Sequence, residues 1–192
     1  MQAKPIPLRR PVGTPSEPGL PAVHGLHHFA YRCKNAEETR QFYEDVLGLP
    51  LAAVVQHDKV PSTGETHPYF HIFFEMADGS YLAFFDLLDD KGYTADPETP
   101  SWVNHLALEV SSYEDLEVYK RRLVEAGVDV LGIIDHKWFN SIYFFDPNGI
   151  RLELVQRTAS MEEMQRKHSV AREILATRTR KIAELQQQKA RP

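Results

Sequence analysis

Along residues 26–157 the apolar positions change period several times, and each change marks an element. LHHFAYRC, residues 26–33, has the pattern of a strand, and NAEETRQFYEDVLGL after it carries Thr39, Phe42, Tyr43, Val46 and Leu47 at helical spacing. Asn35 stands where it can cap the start of that helix and Gly48 where it can end it. Two more strands are predicted over residues 68–77 and 80–88, joined by Asp78-Gly79, a two-residue hairpin signal. The first half therefore reads β-α-(β)-β-β.

The order then repeats. A strand at VNHLALEVSS (103–112) leads into a helix over YEDLEVYKRRLVEAGV, followed by strands near VDVLGIID, NSIYFFD and RLELVQ. Asp146-Pro-Asn-Gly149 supplies the turn between the last two. HFAYRCKNAEETRQFYEDVLG aligns with HLALEVSSYEDLEVYKRRLVEAG, and each half closes on a strand with an acidic residue, FFDLL and RLELV. Neither half is large enough to bury its own sheet. The expected fold is α+β, with two βαβββ modules (about 24–90 and 101–157) pairing curved mixed sheets around a shared metal cavity within one domain, 23–157.

The flanks differ from this body. Six prolines fall within residues 1–21, which predicts an extended, flexible arm over 1–22. Residues 158–192 predict a C-terminal helical extension opened by Ser160 and Glu163 as a capping box. Met161, Met164, His168, Ala171, Leu175, Arg178, Ile182 and Leu185 follow 3-4 spacing, with polar breaks at His168 and Arg178. Such a seam suits either a peripheral helix or a modest contribution to a homodimer, and the homodimer is the expectation adopted.

Composition narrows the function. The tail holds eight Lys/Arg against four Asp/Glu, which leaves −9 on residues 1–157 out of a net −5. An acidic body argues against nucleic-acid binding. No run approaches the roughly 20 apolar residues of a membrane span, and no signal-peptide core is evident. With Cys33 as the single cysteine, a disulfide framework is excluded, and the expected location is the cytoplasm.

Chemistry-bearing residues are selected by their place in the repeat. His28 and His105 open equivalent strands, and Glu153 lies in the last strand of the second half. Together they make a two-histidine, one-carboxylate set of the kind that binds a divalent metal on one face and leaves other positions open. Fe(II) or Mn(II) are the expected metals, and Zn(II), Ni(II) and Co(II) also suit the set. His27, the neighbouring candidate, is expected on the opposite face by strand alternation.

The duplicated pattern, the HFAYRC…RQFYEDVLGL opening, HLALEV and the closing DPNGIRLELV resemble the vicinal oxygen chelate superfamily over about residues 24–157. That superfamily includes glyoxalases, extradiol dioxygenases, epimerases, fosfomycin-resistance enzymes and bleomycin-binding proteins. The resemblance places metal ligands on the same His28, His105 and Glu153. It is closest in motif to extradiol ring-cleaving dioxygenases, which implies catalytic roles for His136 and Tyr143 and a catechol-like substrate. Where those enzymes carry an acid/base histidine, this chain has Ser80 or Tyr81, with His71 on a neighbouring strand. The glyoxalase and epimerase branches instead imply Asp86 as a fourth ligand and lyase or isomerase chemistry. A metal-free drug-binding protein is a third alternative, disfavoured by the complete ligand set.

Overall fold

The protein is described here by a computed structural model covering residue 21 and residues 23–189. The arm predicted over residues 1–22 lies outside the described residues apart from Pro21. Strand β1 (His28–Cys33) leads into α1 (Ala36–Arg40), and Asn35 caps that helix by accepting from the amides of Glu37 and Glu38. The helix continues through a wider, π-helical segment at Gln41–Val46, and the chain leaves it at Gly48, whose φ of +75° suits glycine. Next come β2 (Leu51–Lys59), β3 (Thr66–Glu75) and β4 (Tyr81–Asp86), with β3 and β4 joined at Asp78-Gly79 as the sequence predicts.

The second module repeats the plan with β5 (Leu106–Val110), α2 (Tyr113–Glu125), β6 (Leu131–Asp135), β7 (Phe139–Phe145) and β8 (Arg151–Arg157). Ser112 and Asp115 form a reciprocal capping box at the start of α2. Each module folds into a four-stranded mixed sheet, ordered β1-β4-β3-β2 and β5-β8-β7-β6, in which the first and last strands run parallel and the other pairs antiparallel. The α+β fold of two βαβββ modules is thus as expected. Helix α3 (Met161–Lys189) follows, and Glu163 and Ser160 make the predicted box at its start.

One core serves both sheets. Ile72, Phe74, Leu82 and Phe84 from the first sheet and Ile142, Phe144, Leu152 and Leu154 from the second close on Phe42, Tyr43, Leu47, Leu116 and Leu123 of the helical segments. The modules are also latched by polar contacts. The turn after β7 reaches the first helical segment, where the Tyr43 hydroxyl donates to Asp146 at 3.0 Å, the Asn148 amide donates to Thr39 at 3.2 Å, and the Lys34 amide donates to Asn148 at 2.9 Å. Strand alternation sends every second side chain away from this core, and those outer faces carry the candidate chemistry.

Candidate active site

Tyr143 and Glu153 are directly opposite each other on β7 and β8, so the pleat places both on the outer face of the second sheet. Although outward, Glu153 is only 4% exposed. The Tyr143 hydroxyl donates to its Oε1 at 2.7 Å and lies 2.9 Å from Nε2 of His136, in the turn between β6 and β7. Since the phenol proton goes to Glu153, the phenol oxygen is left to accept from the His136 N–H. Burial pushes the Tyr143 pKa up to about 12, helped by the hydrogen bond to Glu153 and that residue's charge, so the phenol remains a donor. The other carboxylate oxygen, Oε2, lies 3.0 Å from Nε2 of His105, which stands just before β5.

His105 is oriented from its far side. Its Nδ1 lies 3.0 Å from the carbonyl oxygen of Val103, and with the ring proton donated there Nε2 presents a lone pair. Two lone-pair atoms, Nε2 and Oε2, then face each other at 3.0 Å. A proton or a cation between them resolves that arrangement. A backbone carbonyl holding a histidine's other nitrogen also matches the way ligating histidines are held. The donor set therefore fits a divalent metal.

His28 does not join these residues within one chain. It is the first residue of β1, on the outer face of the other sheet, beside His71 and Phe73 with ring centroids 6.2 and 5.8 Å away. Among the described residues no group of three His, Cys, Asp or Glu side chains is placed to hold a metal. The shared cavity expected between the modules of one chain is corrected accordingly. The apolar faces of both sheets are taken up by the common core, and the histidine-bearing faces point away from it.

Asp86 is not brought to the histidines either, and the register explains why. His28 pairs with Tyr81, and Asp86 is five residues further along β4, opposite Cys33. In the second sheet Glu153 pairs with Ala107, two residues after His105, so its counterpart in the first sheet is Ala83, opposite Ala30. Asp86 stands three positions beyond that counterpart, and an odd shift turns it to the helix side. There Oδ2 accepts from the Ala36 amide at 2.8 Å and Oδ1 from the Leu88 amide at 2.9 Å.

A family model described as the Glyoxalase/Bleomycin resistance protein/Dioxygenase superfamily matches residues 25–154. The chain belongs to this superfamily. Among curated relatives, the metallothiol transferase FosB of Staphylococcus epidermidis is 30% identical over 146 residues, covering 73% of this chain and 88% of that protein. The putative ring-cleaving dioxygenase MhqA of Bacillus subtilis (strain 168) is 28% identical over 135 residues, 69% of this chain. The chain spans only 40% of the length of MhqA. Among solved structures, a glyoxylase/bleomycin resistance protein/dioxygenase domain from Frankia sp. EAN1pec superposes with a TM-score of 0.59 at 16% identity, covering 71% of this chain and all of that one. The fosfomycin resistance protein FosX from Listeria monocytogenes, complexed with Mn(II) and sulfate ion, gives 0.53 at 19% identity over 75% of this chain and 99% of that one. At these identities the two structures show a shared fold.

Within this superfamily member, His27 and His71 stand nearer to His28 than the sequence placed them. The ring of His27 lies edge-on to that of His28, 5.0 Å between centroids, with the two Nδ1 atoms 2.8 Å apart. Alternation does not separate them because β1 begins only at His28. His71 stacks on Phe85 at 3.7 Å, and its Nε2 is buried without a hydrogen-bond partner. Burial first, and then the His28 charge, pushes its pKa down to about 4. The period-2 pattern of PYFHIFFE carried the signal for its face, since His71 and Phe73 alternate with the core residues Ile72 and Phe74.

Proposed function

We propose that the protein is a metal-dependent vicinal-oxygen-chelate enzyme of dioxygenase type, acting on a catechol or similar vicinal-oxygen substrate. His105 and Glu153 of one copy hold Fe(II) or Mn(II) together with His28 of a second copy, which makes the active unit a homodimer. The observation that carries this reading is the line of polar contacts His136–Tyr143–Glu153–His105, with hydrogen bonds of 2.9 and 2.7 Å on either side of the phenol oxygen and Nε2 of His105 3.0 Å from the free carboxylate oxygen. A bound divalent metal supplies Lewis-acid polarisation of the substrate oxygens. The protein's own part follows from the hydrogen bonds. Tyr143 fixes Oε1 and leaves Oε2 beside the lone pair of His105. His136 holds a proton at the phenol oxygen, from which charge developing on a substrate oxygen can be met.

A second reading, a metal-dependent thiol transferase, is favoured by the alignment with FosB, which covers 88% of that protein against 40% of MhqA. Oxygen uptake with catechols and consumption of a thiol distinguish the two. The metal assignment has its own test in elemental analysis of protein purified without chelator. Stoichiometric metal is expected in the native chain and its loss is expected in His105→Ala, with circular dichroism unchanged. Unaltered metal content in His105→Ala overturns the assignment.

A further inference from the structure

On its outer face β8 carries two arginines on either side of Glu153, and they differ in their partners. Arg157 is paired with Glu109 at 3.3 Å. Arg151 is paired with no carboxylate among the described residues. One of its N–H groups donates to the Trp102 carbonyl at 2.8 Å, and its guanidinium carbon lies 4.4 Å over the ring of Tyr143, the phenol that holds Glu153. The nearby carboxylate of Asp96, which lines a small cavity together with Arg151, is turned into its own loop, accepting from the Glu98 amide at 3.0 Å and the Thr99 hydroxyl at 2.6 Å. Arg151 is thus a half-buried, oriented cation with unused donors beside the candidate centre.

A guanidinium presents five N–H donors in a planar fork that matches the paired oxygens of a carboxylate or phosphonate. The carbonyl and the aromatic face fix the plane of this one, so little ordering remains to be done when an anion binds. We propose that Arg151 anchors an anionic group of the substrate, set apart from the vicinal oxygens that reach Glu153 and His105. The substrate class is then a diol bearing a carboxylate or phosphonate. This rests on the metal-site reading above and adds to it the charge of the substrate.

The test uses the full-length protein loaded with Mn(II), with catechol, 3,4-dihydroxybenzoate and 1,2-dihydroxypropylphosphonate as probes in calorimetric titrations. The native protein is expected to bind at least one of the two acids about 10- to 100-fold more tightly than catechol, the range of a charge-assisted fork. Which acid is preferred identifies the anion. In Arg151→Gln the ratio is expected to collapse to near unity, and in Arg151→Lys to fall part of the way, with Mn content in the same samples reporting an intact centre. Catechol bound by the native protein as tightly as both acids overturns the anchor and leaves the metal site standing. Binding of none of the three overturns both. A preference that survives in Arg151→Gln also overturns the anchor.

Discussion

Tyr143 stands in the middle of the candidate chemistry, since its hydroxyl meets both His136 and Glu153. Removing that hydroxyl takes away one hydrogen bond to the carboxylate but leaves His105 and Glu153 in place. Tyr143→Phe is therefore expected to retain metal and to lose about 10²- to 10⁴-fold in turnover, the range for a positioned proton-transfer group. Steady-state kinetics alongside metal analysis checks this, and unchanged kcat with retained metal removes Tyr143 from the reaction. The neighbourhood of His105 and Glu153 was legible in the sequence because the repeat fixes which strand positions are equivalent, whereas His136 and Tyr143 were singled out by the resemblance and not by the repeat. Asp86 entered as a possible fourth ligand because FFDLL and RLELV look alike, whereas the register that distinguishes Ala83 from Asp86, and leaves Asp86 to accept from the following turn, is a property of pairing between β1 and β4. His27 was misjudged for a smaller reason, that alternation was counted from a residue outside the strand.

Among the elements, the turn between β7 and β8 has a structural task as well as a hairpin one. Its Asp146 is 5% exposed and accepts from the amides of Asn148 and Ile150, the side-chain amide of Asn148 and the hydroxyl of Tyr43. Burial raises the Asp146 pKa, so between the unfolded and folded values the native state binds more protons than the unfolded chain. Stability from this group accordingly falls as pH rises through that window, and mild acid does not weaken the latch. Asp146→Ala leaves the buried Tyr43 hydroxyl and Asn148 amide short of a partner, and a loss of about 2–4 kcal/mol in denaturant unfolding is expected. A loss below about 0.5 kcal/mol would show that the latch contributes nothing. The hairpin itself was legible from Asp-Pro-Asn-Gly, while its docking on the first helical segment was not, because it joins residues more than a hundred positions apart. Strand β2 was expected from the repeat but without bounds, for the opposite reason. Almost all of it is exposed, and a strand with little buried face shows no period.

At the level of the whole molecule, the repeat led to the right architecture and the wrong meeting place. The helices of both modules occupy the space between the apolar faces, so the faces with His28 on one sheet and His105 and Glu153 on the other are left outward. Helix α3 adds an exposed surface with Ile174 at 63% and Leu175 at 68% exposure, consistent with a tail held mainly at its start, where Lys167 lies over Trp138 at 4.2 Å. No helix of the described residues is long and apolar enough to cross a membrane. The central claim is that two copies complete each other's metal set, and it is tested most directly by metal content in a mixed dimer of His28→Ala with Glu153→Ala, isolated through two different tags. One of its two sites would lack both altered residues' contributions, and the other would be built entirely from native side chains. The account predicts one metal per mixed dimer, against two in the native dimer and none in either variant alone. A mixed dimer without metal would contradict it, because sites built within single chains would both be broken.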